Sequence, residues 1–344
     1  MRGLAVAFAV VVSSCTATTT PPGPTASATT RPNEAVTFMA GFKPQADLPF
    51  VGVYIAQERG YFRAQGLDVT IQHSAGSGEH IRLLGTGAIQ FSTGSAGDVM
   101  KRVADAGVPL VSVATIGQRG EQAYAVRADS PIQTPKDWEG RLVGYKSTVS
   151  ADYLALLKIA GVDRSKIREV SVGFDPRVLA LGQVEVYPVF AANEPDTLAR
   201  LGIPVRIFEP WRYGVPALGL TYITTRDMVD TRADTVRRFL RAALKGIADA
   251  VADPAAAVDI VMKYAQGEDP AHQRFMLDTE IQAALTDLTR EQGIGATSRE
   301  QWSRLHDVLA ENGGISKRID ADTVFTDRFT KELYQGGRLV WPGP

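Results

Sequence analysis

The sequence predicts an α/β protein of two lobes, each a mainly parallel sheet flanked by helices. Strand-like and helix-like segments alternate from residue 36 to residue 224, and this alternation is typical of parallel sheets. The segments form two successive series, and an almost purely helical region follows from Asp227 onward. The 344 residues suffice for two domains of roughly 150 residues each. We therefore expect the chain to cross between the lobes twice, near Val126–Asp129 and Thr221–Thr225.

The first series opens with the stretch around which we expect a ligand site to form. Val36–Ala40 is a short apolar strand, and a turn-rich loop over residues 41–50 leads into a helix predicted for Val51–Phe62. Ligands of open α/β sheets bind at the carboxyl ends of strands, and helix N-termini present free N–H groups. The loop therefore predicts one half of a clamp around a small organic molecule.

The rest of the first series repeats this strand-to-helix pattern. Leu67–His73 alternates at strand period, and Ala88–Thr93 runs through a Gly-Ser-Ala turn into a helix that ends at Ala106. Pro109–Ile116 is almost continuously apolar, as expected for a strand buried on both faces. Ser95 in the turn either contacts a polar ligand atom or caps the helix, and the sequence leaves both alternatives open.

Further strands and then helices are predicted along the remaining chain. The strands are Gln122–Val126, Arg141–Gly144, Arg168–Ser171, Val184–Phe190, Val205–Phe208 and Leu218–Thr224. One apolar stripe at helical spacing comprises Val236, Phe239, Leu240, Ala243, Leu244 and Ile247. Helices are also predicted over residues 255–264, 275–288 and 298–312. Trp138 and Trp302 lie in amphipathic stretches, which indicates core positions.

Composition excludes several classes of protein. The formal net charge is −1 and no long run of one sign occurs, so no basic field for nucleic acid is present. The single cysteine, Cys15, excludes an internal disulfide and cysteine-rich metal sites. His73 and His80 form a close pair without a third ligand at metal-like spacing. We expect no metal and no cofactor.

Nothing in the sequence indicates catalysis. Dinucleotide-binding, P-loop, zinc-protease and serine-hydrolase motifs are absent from the sequence. Carboxylates near predicted turns could serve in acid–base chemistry, but their spacing does not pair them; they are Asp47, Asp98, Asp175 and Glu194. We therefore expect a binding protein and not an enzyme.

The N-terminus has the features of an export signal. Arg2 precedes the short apolar run of residues 3–12, which has the length of a signal-peptide core. Val12-Ser13-Ser14-Cys15 resembles a bacterial lipobox, which implies a signal peptide over residues 1–15 and acylation of Cys15, for example by palmitate. Residues 16–35 are rich in Thr and Pro and predict a flexible tether. The expected location is the outer face of the bacterial cytoplasmic membrane, with a lipid anchor.

Several blocks of the body carry a family resemblance. They are residues 51–71, 87–96, 109–119, 134–145 and 213–225. In these blocks the chain resembles the solute-binding lipoproteins of ABC importers, in the branch related to pyrimidine-precursor binding proteins of thiamine biosynthesis. Residues 38–57, 173–179 and 186–198 are most similar to the riboflavin-binding subgroup.

The resemblance implies both a fold and a function. The fold is the type II periplasmic-binding-protein fold, with lobe 1 formed by residues 36–126 and 226–335 and lobe 2 by residues 127–225. The function is capture of riboflavin for import, in partnership with an ABC permease and its ATPase. A monomer is expected.

The resemblance also implies a set of ligand-binding residues. Lobe 1 would contribute Phe42, Phe50, Ser95 and Gln118, and lobe 2 would contribute Tyr145, Phe174, Asp175, Asn193, Glu194 and Tyr213. This set is chemically suited to a flat heteroaromatic ligand, which needs aromatic faces for stacking and a few convergent polar groups.

Three alternatives remain open. The ligand could be a thiamine-pathway pyrimidine, which is a smaller ring. The protein could be a sensory module without transport. It could also be a secreted enzyme, because the family includes a fungal pyrimidine synthase; however, that enzyme uses a Cys-rich iron motif, and this chain has no cysteine beyond Cys15.

Overall fold

The computed structural model describes residues 33–343 and, before them, residues 1, 3–5, 7 and 9. Contacts separate Met1–Pro32 from a compact unit of Asn33–Pro344, and the second unit is described below. The predicted acylation site Cys15, most of the predicted signal peptide and most of the tether lie outside the described residues. Among the residues that are described, no helix combines the length and apolar character that a membrane span requires.

Strands and helices alternate through the first two thirds of this unit, and helices dominate the remainder. The strands are β1 (Glu34–Ala40), β2 (Leu67–His73), β3 (Phe91–Ser95), β4 (Leu110–Thr115), β5 (Gln122–Arg127), β6 (Leu142–Lys146), β7 (Arg168–Val172), β8 (Tyr187–Phe190), β9 (Val205–Phe208), β10 (Leu220–Thr225), β11 (Tyr334–Gln335) and β12 (Arg338–Leu339). The helices are α1 (Leu48–Glu58), α2 (Tyr61–Ala64), α3 (Glu79–Gly85), α4 (Ala96–Ala106), α5 (Ala151–Ile159), α6 (Arg177–Ala180), α7 (Glu194–Arg200), α8 (Arg226–Thr231), α9 (Ala233–Ala252), α10 (Pro254–Tyr264), α11 (Pro270–Ala284), α12 (Asp287–Gln292), α13 (Arg299–Glu311) and α14 (Arg328–Leu333).

The strands of two sheets follow the same relative arrangement, although their numbers differ. The first sheet has the order β2-β1-β3-β10-β4, in which β10 runs antiparallel to both neighbours. In the second, β8-β5-β9 has β5 antiparallel to both neighbours, and β6-β7 joins it through the parallel bridge Val143–Val186. The second order is therefore β7-β6-β8-β5-β9. In each sheet the antiparallel strand is the first strand after the chain has crossed from the other sheet.

Strand pairing differs from the predicted boundaries at both crossings. β5 belongs to the second sheet, whereas the predicted boundary puts residues 122–126 in lobe 1. β10 belongs to the first sheet, whereas the predicted boundary puts it in lobe 2. The chain therefore passes between the sheets at residues 116–121 and 209–219. Hydrophobic periodicity identifies a strand but not the sheet that the strand joins, which explains the difference.

The first sheet is covered by α1 and α9, which cross at two glycines. A Cβ built at Gly246 would lie 2.0 Å from the Gly52 carbonyl oxygen, so only glycine permits this approach. Phe239, from the predicted apolar stripe, stacks on Phe91 of β3 with ring centroids 3.9 Å apart. The predicted core position of Trp302 is confirmed, because its side chain is fully buried.

A second apolar cluster connects the two sheets. It contains Met39 and Ile223 from strands of the first sheet, and Tyr124 and Phe208 from the second. Trp138 is fully buried in the same cluster, as predicted, and its indole meets Phe208 edge-on at 5.7 Å. All six residues of β4 are buried, which confirms the prediction of a strand covered on both faces.

Candidate functional site

The carboxyl ends of strands from the two sheets face each other. Phe42, just after β1, contacts Phe174, just after β7, with ring centroids 4.9 Å apart. The Ser147 hydroxyl, just after β6, donates to the carbonyl oxygen of Gly76, which follows β2, at 3.0 Å. Ligands of α/β sheets bind at such strand ends. The space between these loops is therefore the candidate binding site.

A network of side-chain hydrogen bonds joins the two sides of this site. Asn193, at the start of α7, donates from Nδ2 to Gln45 Oε1 at 3.4 Å. Gln45 in turn donates from Nε2 to both carboxylate oxygens of Asp47 at 3.0 Å. His272 of α11 lies 3.0 Å from Asn193 Oδ1 through Nε2, and 2.7 Å from Asp196 through Nδ1. The network ties the loop after β1 and helix α11 to helix α7.

Three buried carboxyl groups lie at the base of this network. Glu280 of α11 accepts a hydrogen bond from the Leu48 backbone N–H beside Asp47. Glu121, on the crossing between the sheets, accepts from the Leu220 N–H at 2.8 Å. Burial raises the pKa of Asp47 to about 6, although the hydrogen bond from Gln45 acts in the opposite direction and lowers it. Burial raises the pKa of Glu121 to about 8 and that of Glu280 well above its ordinary value, the latter also because of Asp47.

The opposite wall holds a buried ion pair. Lys146, at the end of β6, pairs with Glu194, and their side chains are 9% and 7% exposed. Glu194 also accepts a hydrogen bond from the Phe190 backbone N–H at 2.8 Å. The Lys146 ammonium lies 5.5 Å from the ring centroid of Phe174 and 5.2 Å from that of Tyr187, within cation–π range. Lysine and carboxylate are therefore both engaged on this wall.

Two helix N-termini approach each other beside these groups. Ser95 caps α4 by accepting from the Asp98 N–H at 3.4 Å, so the capping alternative is observed. Ser150 caps α5 in the same way, accepting from the Tyr153 N–H at 3.2 Å. A Cβ built at Gly97 would lie 2.7 Å from Asp152 Oδ1, which shows how closely α4 and α5 approach.

Four of the predicted site residues meet between the sheets, and a fifth lies beside them. Phe42 and Phe174 contact each other, while Asn193 and Glu194 take part in the hydrogen bonds described above. Tyr145 lines a cavity of about 30 Å³ with nine other residues; these are Gln122, Tyr124, Gly144, Lys146, Thr148, Val149, Ser150, Tyr153 and Pro188.

Four other predicted residues lie in the core or make contacts within the protein. Phe50 is 1% exposed and belongs to the core of the first sheet, whereas it was predicted in the cleft wall. Helix α1 starts at Leu48, earlier than predicted, and this turns Phe50 inward. The Gln118 side-chain amide donates to the carbonyls of Thr115 and Ala296, and its Oε1 accepts from Gln301.

The remaining two residues are held locally. Asp175 is exposed and binds Arg177 two residues away through both carboxylate oxygens. The Tyr213 ring lies 6.4 Å from Phe208 and packs against the second apolar cluster. A ligand contact of either residue remains a prediction.

Several residues of the site were not singled out from the sequence. Lys146, Glu121, Glu280 and His272 are brought in by tertiary contacts. Lys146 directly follows Tyr145 at a strand end, and this position could have identified it. Glu280 and His272 lie on a helix remote in sequence from every strand, so no local signal indicates them.

A larger cavity of about 350 Å³ is lined by none of the predicted residues. Its walls come from the C-terminal third of the chain and are Glu291, Gln292, Ala296, Thr297, Asp327, Thr330, Lys331, Tyr334, Gly336 and Gly337. Among the residues that the structure describes, no group of three or more His, Cys, Asp or Glu side chains is arranged to hold a metal ion.

One family model and two named binding proteins match most of this chain in sequence. A sequence model of the family described as NMT1/THI5 like matches residues 48–257. The riboflavin-binding protein RibY of Chloroflexus aurantiacus is 25% identical over 342 residues, covering 95% of this chain and 96% of that protein. The formylaminopyrimidine-binding protein of Halalkalibacterium halodurans is 27% identical over 303 residues, covering 85% of this chain and 90% of that protein.

Solved structures confirm the predicted two-lobed fold. The periplasmic aliphatic sulphonate binding protein SsuA of Escherichia coli superposes with a TM-score of 0.65 at 16% identity, covering 90% of this chain and 97% of SsuA. The desulfurization enzyme DszB has a TM-score of 0.56 at 14% identity, covering 87% and 98% of the two chains. The fold therefore occurs both in binding proteins and in an enzyme.

Proposed function

The chain belongs to the NMT1/THI5-like family, and on that premise we propose that it is a substrate-binding lipoprotein of an ABC importer that captures riboflavin. The observation that carries this proposal is the meeting of Phe42 and Phe174 beside the Gln45–Asn193 hydrogen bond, between strand ends of the two sheets. Similarity to riboflavin-binding RibY over 95% of the chain supports the choice of ligand.

The site supplies the groups that a flat ring system needs. Phe42, Phe174 and Tyr145 offer aromatic faces, and ring pairs of this kind stabilise by about 0.5–1.5 kcal/mol beyond simple burial. The amides of Gln45 and Asn193 can each donate to and accept from the polar edge of a ring. In an open form the contacts between the sheets are broken, a ligand occupies the gap, and the amides then close over it.

Export and anchoring complete the proposal. The lipobox-like sequence that ends in Cys15 would place the protein on the outer face of the cytoplasmic membrane, held by an acyl chain. From there a monomer would deliver its ligand to an ABC permease driven by its ATPase. Replacement of Cys15 by Ala tests the anchor: we expect loss of labelled palmitate incorporation and release from membranes, and continued labelling would contradict it.

A second candidate ligand is a pyrimidine of the formylaminopyrimidine type. It is favoured by the 27% identity to the formylaminopyrimidine-binding protein over 303 residues. Catalysis receives less support, because both curated relatives are binding proteins by name and the similarity to DszB is one of fold alone.

Thermal unfolding of the purified protein distinguishes the two ligands. A ligand that binds only the folded state raises the unfolding free energy by about 2.7 kcal/mol at a hundredfold excess over Kd. We expect riboflavin to raise the melting temperature and a formylaminopyrimidine to leave it nearly unchanged. The reverse result would assign the site to pyrimidines, and no shift with either compound would contradict both candidates.

A further inference from the structure

We infer that the site admits an uncharged ring compound and rejects the phosphate ester or sulfonate of the same ring. The inference rests on the proposed function and adds the charge class of the ligand to it. It is carried by the charged and polar side chains that surround the gap between the sheets.

Carboxyl groups enter the site from both sides. Asp47, Glu121 and Glu280 are buried at the base of the hydrogen-bond network, with exposed fractions of 8%, 8% and 7%. Asp152 is 6% exposed at the start of α5. Among the described residues its Oδ1 has no hydrogen-bond partner, so this oxygen is already unsatisfied before any ligand arrives. Above the raised pKa values of Asp47, about 6, and of Asp152, about 7, these two carboxylates are ionised, and an anionic group would meet acceptors there instead of donors.

Three basic side chains near the site are each engaged with another group. The Lys146 side chain is 9% exposed, but its charge pairs with Glu194 and lies close to aromatic rings. Lys43 in the loop after β1 is exposed and pairs with Glu268. Arg119 on the crossing is exposed and lies over Trp211 at 5.4 Å.

His80 and the helix ends add no positive charge, and His272 is paired with Asp196. Burial lowers the pKa of His80 to about 4, so this side chain is neutral at neutral pH. The N-termini of α4 and α5 would otherwise attract an anion. Each is instead capped by its own serine hydroxyl and has an aspartate, Asp98 or Asp152, in its first turn.

The physical consequence is that the site selects uncharged rings because it excludes anionic ones. Moving an anion from water into a closed site is costly unless a cation or several donors receive it. An uncharged ring avoids this cost and uses the same groups, because an ionised carboxylate accepts a hydrogen bond and a protonated carboxyl donates one. Unfavourable placement of charge against the wrong ligand is a recognised source of specificity.

The test compares each ring with its own phosphate ester on the purified protein at about pH 8, where Asp47 and Asp152 are ionised. Riboflavin is titrated against riboflavin 5′-phosphate, and an uncharged hydroxymethylpyrimidine against its phosphate. We expect the ester to bind at least about tenfold more weakly than whichever parent binds. An ester that binds as tightly as its parent would overturn the inference while the proposed function stands. Failure of both parents would overturn the proposed function, and the inference with it.

Variants show whether the named carboxyl groups cause the discrimination. At about pH 8, Asp47→Asn and Asp152→Asn each remove one negative charge, from opposite sides of the site. We expect either variant to reduce the ester-to-parent ratio of Kd severalfold. The matched control is Asp278→Asn, because Asp278 is also an aspartate but is 41% exposed and paired with Arg274. An unchanged ratio in both folded site variants would contradict the inference.

Discussion

Phe42 contacts Phe174 across the two sheets, with ring centroids 4.9 Å apart and ring planes inclined by 42°. The two rings also enclose Gly76, where a built Cβ would lie 2.8 Å from the Phe42 ring and 2.9 Å from Phe174 Cζ. Gly76 has a φ of +85°, which favours glycine for a second reason. The pair therefore marks a point at which the loops of the two sheets meet closely around apolar groups.

Replacing either ring by alanine should weaken ligand binding. Phe42→Ala and Phe174→Ala should each cost about 0.5–1.5 kcal/mol in riboflavin affinity through lost stacking. Quenching of riboflavin fluorescence measures the change. Phe275→Ala is the control, because Phe275 on α11 is 37% exposed against 39% for Phe174 and takes no part in the site contacts described above. Unchanged affinity in both site variants would show that the walls are wrongly assigned.

Loss of the Asn193 amide should destabilise the closed form. Asn193→Ala removes the hydrogen bonds to Gln45 and His272, each worth about 0.5–1.5 kcal/mol. We expect faster ligand dissociation in stopped-flow measurements. Asn312→Ala, which removes only a bond to the Val308 carbonyl at the end of a helix, should leave the rate unchanged. A normal dissociation rate for Asn193→Ala would show that this hydrogen-bond network does not hold the closed form together.

A methyl group at Gly97 should hinder closure. The new Cβ in Gly97→Ala would lie 2.7 Å from Asp152 Oδ1, and overpacking of this kind typically costs about 1–3 kcal/mol. We expect weaker ligand binding by calorimetry. Gly173→Ala is the matched control, because a Cβ there meets no atom within 4 Å and its φ is not positive. Equal affinities for the two variants would contradict the close approach of α4 and α5.

Asp152 should make stability fall as pH rises. Burial, and then the charge of Asp98, raises the pKa of Asp152 from 3.8 to about 7. The folded state therefore holds the proton more tightly, so the stabilising contribution is complete below pH 3.8 and is lost as pH rises through about 7.

The Asp152→Asn variant tests this pH dependence. Urea unfolding should show a smaller loss of unfolding free energy between about pH 4.5 and about pH 8 in Asp152→Asn than in the parent protein. Asp129→Asn should retain the parent slope, because Asp129 is exposed and paired with Arg127. If Asp152→Asn retained that slope as well, ionisation of Asp152 would not be its source.

Most of the fold could be predicted because strand and helix periods are local properties. β2 and β9 have the predicted bounds, and the apolar stripe on α9 faces the first core. The bounds of α1 were harder to predict. Pro49 fits the first turn of a helix, and α1 begins at Leu48. The helix ends before Gly60, whose φ is +72°. Sheet membership of β5 and β10 is non-local and could not be predicted from periodicity.

The site was only partly predictable for the same physical reason. Phe42, Phe174, Asn193 and Glu194 follow strands directly, and strand ends of two facing sheets meet. Phe50 was predicted in the cleft wall, whereas α1 begins at Leu48 and includes Phe50, which is 1% exposed in the core of the first sheet. Glu280 enters from α11 through a contact with Leu48, which is 232 residues away in sequence. Such a contact depends on the complete fold.

Riboflavin binding by the purified protein tests the central claim most directly. Fluorescence titration should give saturable quenching at one site per chain, with the yellow ligand recovered after denaturation. Phe174→Ala should shift the titration to higher concentration without changing the number of sites. A titration without quenching, together with saturable binding of a formylaminopyrimidine to the same preparation, would contradict the assignment of riboflavin as the ligand.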